Sequence, residues 1–234
     1  MIGLIFGETS FPKEILKKIK KKRIKYLIID LTKKKIFKND PNSYHISIGQ
    51  FGKILDLLNN KKCKKVIFAG KIDKPQINKL KLDLKGIYYI ARIIKAAKKG
   101  DAAILKELIK ILLENKIRVI SSISFNPELT LKKGIYSKIK PNKDDALYIK
   151  KGIKILKKTG SYDHVQAVIV RKNDIIKETR SGTRNLIKSI KKNRSQNGVL
   201  IKFPKTKQDL RVDLPTIGIN TFKDIKSKNL KGIV

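Results

Sequence analysis

Cysteine, histidine and acid are the scarce residues of this chain. Cys63 is the only thiol among 234 residues. No intramolecular disulfide can form from it, and no thiolate zinc cluster can be assembled. The two histidines, His45 and His164, lie far apart and outside any HExxH context. A histidine metal site is therefore not indicated, and each reads as a surface or packing residue. Long apolar runs are missing as well: nothing approaches the ~18 residues of a membrane span. Residues 2–6 hold four bulky apolar side chains, with no basic region before them. That is too short for a signal peptide and fits a first β-strand, so a cytoplasmic location is the expectation. Phosphate-binding signatures are lacking too. Gly3-Leu4-Ile5-Phe6-Gly7 is not GxGxxG, and no Walker-type loop ends in Gly-Lys-Ser/Thr. A Ser-His-Asp arrangement stays open, although nothing resembles a nucleophile elbow.

What the chain has in excess is positive charge, with 57 Lys+Arg against 19 Asp+Glu for a net +38. A field of that size attracts phosphate backbones, which makes nucleic-acid binding the first reading. Two features oppose it. Only eight of the 57 are arginine, whereas base and phosphate recognition favours the planar guanidinium fork. Aromatics are only 6% and do not cluster with the lysines, so stacking platforms for bases are not evident. The lysines run along the whole chain beside abundant Ile and Asn, as an AT-rich coding bias produces at solvated positions. A third reading, compatible with the second, is a basic face held against an anionic membrane surface.

The 41% hydrophobic content supports a folded chain of one large or two small domains. Residues 2–6 read as a buried strand, followed by a helix with Pro12 in its first turn and Ile15, Leu16 and Ile19 at helical spacing. Tyr26–Asp30 is a second strand. Ile54, Leu55 and Leu58 mark a helix after Gly52, and Val66–Ala69 a further strand. Helical stretches at Ile87–Ala97 and Ala102–Leu113 flank Lys99-Gly100-Asp101, and Arg118–Ile120 closes this half. Strands alternating with helices predict βαβ units and a mostly parallel sheet over residues 1–131, a Rossmann-like domain whose ligands sit beyond the strands' carboxyl ends. Residues 132–142 lapse into Lys, Gly, Ser and Pro and read as a linker. A second α/β domain over 143–234 starts with a helix at Asp144–Lys158. A hairpin follows, from Val165–Val170 to Ile175–Ile176 through Lys172-Asn173-Asp174, then a helix after Gly182 and a strand at Val199–Ile201.

Because acid is rare, its placement is informative. Asp213 lies in Arg211-Val212-Asp213-Leu214-Pro215-Thr216-Ile217-Gly218, between apolar neighbours and just ahead of a Pro turn. A period of two predicts Arg211 and Asp213 on one side of a short strand. That pairing fits either a structural salt bridge or a Mg-ligating carboxylate beside a phosphate-binding cation.

The segment Gln208–Gly218 resembles the C-terminal signature of the LpxI-type UDP-2,3-diacylglucosamine pyrophosphatases. Five further matches occur in the same order: Gly49-Gln50-Phe51-Gly52-Lys53; Phe68-Ala69-Gly70-Lys71 with Pro75; Lys99-Gly100-Asp101; Val165–Val170 around Gln166; and Ser181-Gly182-Thr183. The resemblance implies an N-terminal Rossmann-like domain and a C-terminal α/β domain that enclose the substrate between them. It also implies hydrolysis of UDP-2,3-diacylglucosamine to UMP and lipid X in lipid A synthesis, with Mg²⁺ or another divalent metal. On this basis Asp213 is expected as metal ligand or water-orienting base and Arg211 as a phosphate clamp. Gly7, Gln50, Gly70, Lys71, Asp101, Gln166, Gly182, Thr183 and Thr216 are expected along the substrate. An acylated substrate also fits peripheral contact with anionic inner-membrane lipid, and nucleic acid is not expected as a partner.

The chain departs from the family pattern at several places. Ser181 and Arg184 stand where an acidic pair flanks the family's Gly-Thr, and Ala102 breaks a Gly-Asp-Asp pattern. The loop Gly7–Pro12 has fewer glycines than usual. The family also continues past the equivalent of Val234 into a closing strand and helix, so a shortened C-terminal domain is expected. The lost acids motivate an alternative, a non-catalytic relative that binds the lipid or UDP-sugar without cutting it.

Overall fold

A computed structural model describes the chain except at positions 74, 75, 160–164, 173, 180, 193, 196 and 205–207. It divides into two compact units. The first comprises residues 1–132 together with 210–212, the second 133–209 together with 213–234.

In the first unit the strands are β1 (Ile2–Phe6), β2 (Tyr26–Asp30), β3 (Ser43–His45), β4 (Lys65–Ala69) and β5 (Arg118–Val119). They form one sheet in the order β3-β2-β1-β4-β5, every neighbouring pair parallel. Two-fold alternation along β1 sends Leu4 and Phe6 to one face and Ile5 to the other. Helix α1 (Phe11–Lys21) covers the first face, packing Ile15 and Ile19 on Leu4, Phe6, Ile28 and Ile67. Helices α2 (Phe51–Asn60) and α4 (Asp101–Glu114) cover the second, where Leu55, Leu58 and Leu112 meet Ile5, Leu27, Ile29 and Val66. Burial on both faces is the usual condition of a parallel sheet. Helix α3 (Leu84–Ala97) joins through α4: Arg92 donates to Glu107 at 2.6 Å and makes a paired contact with Glu114 at 2.7 and 2.9 Å.

The chain adds strands outward from β1 to β3, then returns to place β4 on β1's other side. The topological switch point, where open α/β sheets take their ligands, is therefore between β1 and β4. Asp30 ends β2, at a position where an acid reads ribose in dinucleotide folds. Here it is fully buried, and its oxygens accept from Thr32 N, Thr32 Oγ1 and Phe37 N at 2.9, 2.7 and 3.1 Å. It works inside the fold, closing a tight turn.

The second unit holds α5 (Lys143–Lys158), β6 (Ala167–Arg171), β7 (Asp174–Lys177), α6 (Thr183–Ser189), β8 (Val199–Lys202), α7 (Ile219–Ser227) and β9 (Gly232–Ile233). Its sheet runs β7-β6-β8-β9, with β6 antiparallel to both neighbours and β9 parallel to β8. Helix α5 starts at a reciprocal Asn142–Asp145 capping box and packs Leu156 on Val168, Val170 and Ile201. Helices α6 and α7 cover the other face, on Ala167, Ile169 and Leu200. The buried Arg171 ties their ends together, donating to the carbonyls of Lys191 and Lys228 at 2.8 and 3.0 Å.

The α/β class with a parallel first sheet and a second, mixed sheet agrees with the sequence reading. Three elements escaped it: the edge strand β3, whose three residues are too few for a periodic signal, and α7 with β9. The short strand expected through Arg211 and Asp213 does not form. Residues 210–212 make a turn, and Asp213 N donates to Asp209 O at 3.0 Å, a helical-type closure. Arg211 and Asp213 are therefore not on one side of a strand, because the chain folds back where alternation was assumed.

Candidate functional site

In the first unit, three expected residues gather at the switch point. Gly7 follows β1, and its N–H donates to Ala69 O at 2.9 Å. The next step is a two-residue antiparallel bridge. Glu8 N donates to Lys71 O, and Lys71 N to Glu8 O, both at 2.8 Å. The backbones approach so closely that a Cβ on Gly7 would lie 2.4 Å from Lys71 O, and one on Gly70 would lie 2.5 Å from Glu8 O. Gly70 also takes φ +87°, which side chains rarely adopt. These glycines bring two loops into register. Two lysines near this bridge share one carboxylate. The exposed Lys71 ammonium lies 3.2 Å from Asp73, Lys33 donates to the same carboxylate at 2.9 Å, and Lys33 N donates to Glu8 Oε1 at 2.9 Å.

Gln50 is the N-cap of α2 and is half-buried. The α2 N-terminus already has its anion. Asp83, the N-cap of α3, accepts from Gly52 N, Lys53 N and Gly86 N at 3.0, 2.9 and 2.7 Å, so one carboxylate caps two helices. Burial alone would push the Asp83 carboxyl up, but the N–H groups of Lys53, Gly86 and Gly52 outweigh it and hold the group below the ordinary range. Its folded-state value is depressed. Its contribution is thus fully present above the unfolded value and is lost as pH falls through the folded one. Asp83→Asn is expected to cost about 1 kcal/mol at neutral pH, solvent screening included, and nearly nothing well below pH ~4. Urea midpoints of both proteins at each pH check this; a gap that widens in acid refutes it. Asp101 stands apart, exposed at the first position of α4.

The second unit assembles a polar group around a carboxylate the sequence reading passed over. Glu178, 6% exposed, follows β7; its Oε2 accepts from Gln166 N at 2.8 Å and its Oε1 from the Thr183 hydroxyl at 2.7 Å. Gln166 in turn donates from Nε2 to Gln208 Oε1 at 3.0 Å. Gly182, with φ +86°, is the N-cap of the short α6. Lys202, at the end of β8, was also missed. Its ammonium donates to Thr216 O at 2.9 Å. Burial lowers the Lys202 ammonium below the ordinary lysine range, while the nearby carboxylates of Glu178 and Asp213 oppose that shift. Asp213 is half-buried and Arg211 exposed. Asp213, Thr216, Lys202, Glu178, Gln166 and Thr183 thus share one neighbourhood. Arg211 is grouped with the first unit, where its neighbour Val212 packs on the core. A Lys in a lysine-rich chain carries no distinguishing local signal. Only the pairing of β8 with β6, Lys202 opposite Ala167, places it beside the Gln166 and Glu178 end of the sheet.

Among the described residues no group of three or more His, Cys, Asp or Glu could hold a metal by itself. A divalent cation held by Asp213 would complete its shell from phosphate oxygens and water. That is a regular mode for Mg²⁺, and the donor set fits it. His45 is an exposed residue of β3. His164 and Pro75 lie outside the described residues.

A two-unit α/β protein, with a Rossmann-ordered sheet in one unit and, in the other, a buried Glu178 beside the half-buried Lys202 and Asp213, is the class these features define. The family models of the LpxI N-terminal domain and the LpxI C-terminal domain match residues 1–129 and 132–234. The chain is also 30% identical over 198 residues to the UDP-2,3-diacylglucosamine pyrophosphatase LpxI of Caulobacter vibrioides, covering 81% of this chain and 71% of that protein. The chain belongs to the LpxI family.

Proposed function

We propose that this chain hydrolyses the pyrophosphate bond of UDP-2,3-diacylglucosamine, giving UMP and 2,3-diacylglucosamine 1-phosphate (lipid X), as a step of lipid A synthesis. Family membership supports the reaction class, and the activity in the Caulobacter relative's name supports the substrate. The observation that carries the reading is the half-buried Asp213 in electrostatic reach of Lys202, whose ammonium donates to the carbonyl of Thr216, a short way along the chain after Asp213.

Cleaving a diphosphate requires neutralised oxygens and an oriented water, with little covalent help from the protein. Mg²⁺ at Asp213 would supply Lewis-acid charge to the diphosphate. Asp213 holds it or orients the water, and Lys202 keeps the Asp213–Thr216 turn in place while adding positive charge. Arg211 clamps phosphate. Glu178, fixed by Gln166 and Thr183, holds that wall rigid. Lys71, at the first unit's switch point, is the cation for nucleotide phosphate. The protein works in the cytoplasm in peripheral contact with the inner membrane; among the described residues no helix is long and apolar enough to cross one.

The test is UMP release from UDP-2,3-diacylglucosamine by the purified full chain with Mg²⁺. Turnover that chelation with EDTA abolishes and Mg²⁺ restores is expected. Absence of turnover with any divalent metal would defeat the catalytic reading.

One observation favours a second reading, a binder that does not cut. At the two positions where the family's acids are replaced, the present side chains are engaged locally. Arg184 pairs with Asp224 of α7 at 3.4 Å, and Ser181 Oγ lies 2.6 Å from Thr179 Oγ1. Lipid X binding without turnover, unchanged in a Ser181→Glu/Arg184→Asp variant, would establish that reading.

A further inference from the structure

We propose that the outward face of α3 is a docking surface for an anionic lipid bilayer. The helix buries one side within the first unit. Gly86 and Ala96 are buried, Tyr89 meets the Phe51 ring edge-on at 6.0 Å, and Arg92 reaches Glu107 and Glu114 on α4. The other side carries apolar residues into solvent: Leu84 is 87% exposed, Tyr88 72%, Ile87 57% and Ile94 36%. Spaced 84, 87, 88, 91 and 94, with Ala91 also exposed, they form a continuous stripe along the helix. A soluble surface rarely leaves such a stripe without an occupant.

Charge identifies the occupant. Residues 84–99 contain five cations (Lys85, Arg92, Lys95, Lys98 and Lys99) and no acid; Lys85 pairs with Asp56 and Arg92 with Glu107 and Glu114, so the charge offered to a partner comes from the three lysines at the helix's C-terminal end. Lys95, Lys98 and Lys99 are exposed beside and beyond the stripe. A second copy of a chain with net +38 would set like charges against each other across this face. Nucleic acid would meet the cations but leave Leu84 and Ile87 without an apolar partner. An anionic bilayer satisfies both halves. The apolar stripe enters the boundary between headgroups and acyl chains, and the lysines reach lipid phosphates along their flexible stems. The lysines near α3 thus have a directional use, whereas the rest are dispersed over the surface.

This inference deepens the membrane-contact part of the proposed function and does not depend on turnover, so UMP release can stand or fall separately. The experiment is co-sedimentation of the full chain with phosphatidylcholine vesicles, with and without phosphatidylglycerol. It compares wild type with Leu84→Ser/Ile87→Ser/Tyr88→Ser, which leaves the net charge unchanged and alters only exposed side chains, with folding checked by circular dichroism. Wild type should partition to the anionic vesicles at least roughly tenfold better than to the neutral ones. The triple variant should lose about tenfold on the anionic vesicles. Equal binding by the triple variant would assign the attachment to dispersed lysines and overturn the proposal. Failure of wild type to bind would overturn membrane contact altogether. Self-association in the absence of lipid that the variant abolishes would give the face to a second copy.

Discussion

Asp213→Ala is expected to leave the protein folded and to lower UMP release by roughly a thousandfold or more, the scale set by removing a principal electrostatic or acid–base group from an active site. Asp213→Asn should do nearly the same. It preserves the shape of the side chain and the Asp213 N to Asp209 O closure, and removes only the charge. That comparison separates chemistry from architecture, because a packing residue would tolerate the amide. Lys202→Met provides the companion measurement. It keeps the stem that β8 buries and deletes the ammonium that holds Thr216 O. It should lower kcat by about tenfold to a hundredfold while KM moves little, with Lys202→Arg recovering part of the loss. Steady-state UMP release at saturating Mg²⁺, with thermal melts alongside, reads all three variants. An Asp213→Asn enzyme retaining more than a tenth of wild-type turnover would remove Asp213 from the centre of the reaction.

Gly70→Ala should be the most damaging methyl group that can be added near the first unit's switch point. The position has φ +87°, and the new Cβ would sit 2.5 Å from Glu8 O and 2.7 Å from Gly7 O, both backbone atoms that no rotamer change can move. Relief requires separating the loops after β1 and β4, which breaks the pair of 2.8 Å bonds between Glu8 and Lys71. Backbone strain and lost hydrogen bonds together should cost about 3 kcal/mol. For a chain of this size that is a fall of roughly 6–12 °C in Tm. Chemical denaturation followed by circular dichroism measures the loss. A change below about 1 kcal/mol would mean that the bridge is not a stable feature of the switch point.

Much of the architecture was readable in one dimension because it rests on periodicity. Tyr26–Asp30 and residues 2–6 are buried on both faces, so they appear as unbroken apolar runs. Helices α1, α2 and α5 repeat apolar residues every three or four positions because only one side meets a sheet. β3 has three residues and two exposed side chains, so it carries no such pattern. α7 has nine residues and buries only Ile225.

The candidate site divides differently. Asp213 stood out because acids are rare and this one precedes a proline turn, but it does not lie in a strand: alternation is a local rule, and the backbone closure from Asp213 N to Asp209 O overrode it. Glu178 and Lys202 were unreadable for a physical reason. A lysine among 57 basic residues and a glutamate in a loop acquire meaning only when β6, β7 and β8 pair and bring Gln166, Thr183, Thr216 and Asp213 to them. Gly7 and Gly70 were rightly noticed at strand ends, yet the close approach that requires them lies between residues more than sixty positions apart in the chain. By itself the sequence determined the α/β class, the run of elements and the family motifs, since burial period and ordered short motifs are properties of neighbours along the chain. Only the tertiary structure decided which charges are buried, which glycines are sterically obligatory and which apolar helix face meets water, because each depends on what distant segments place against it.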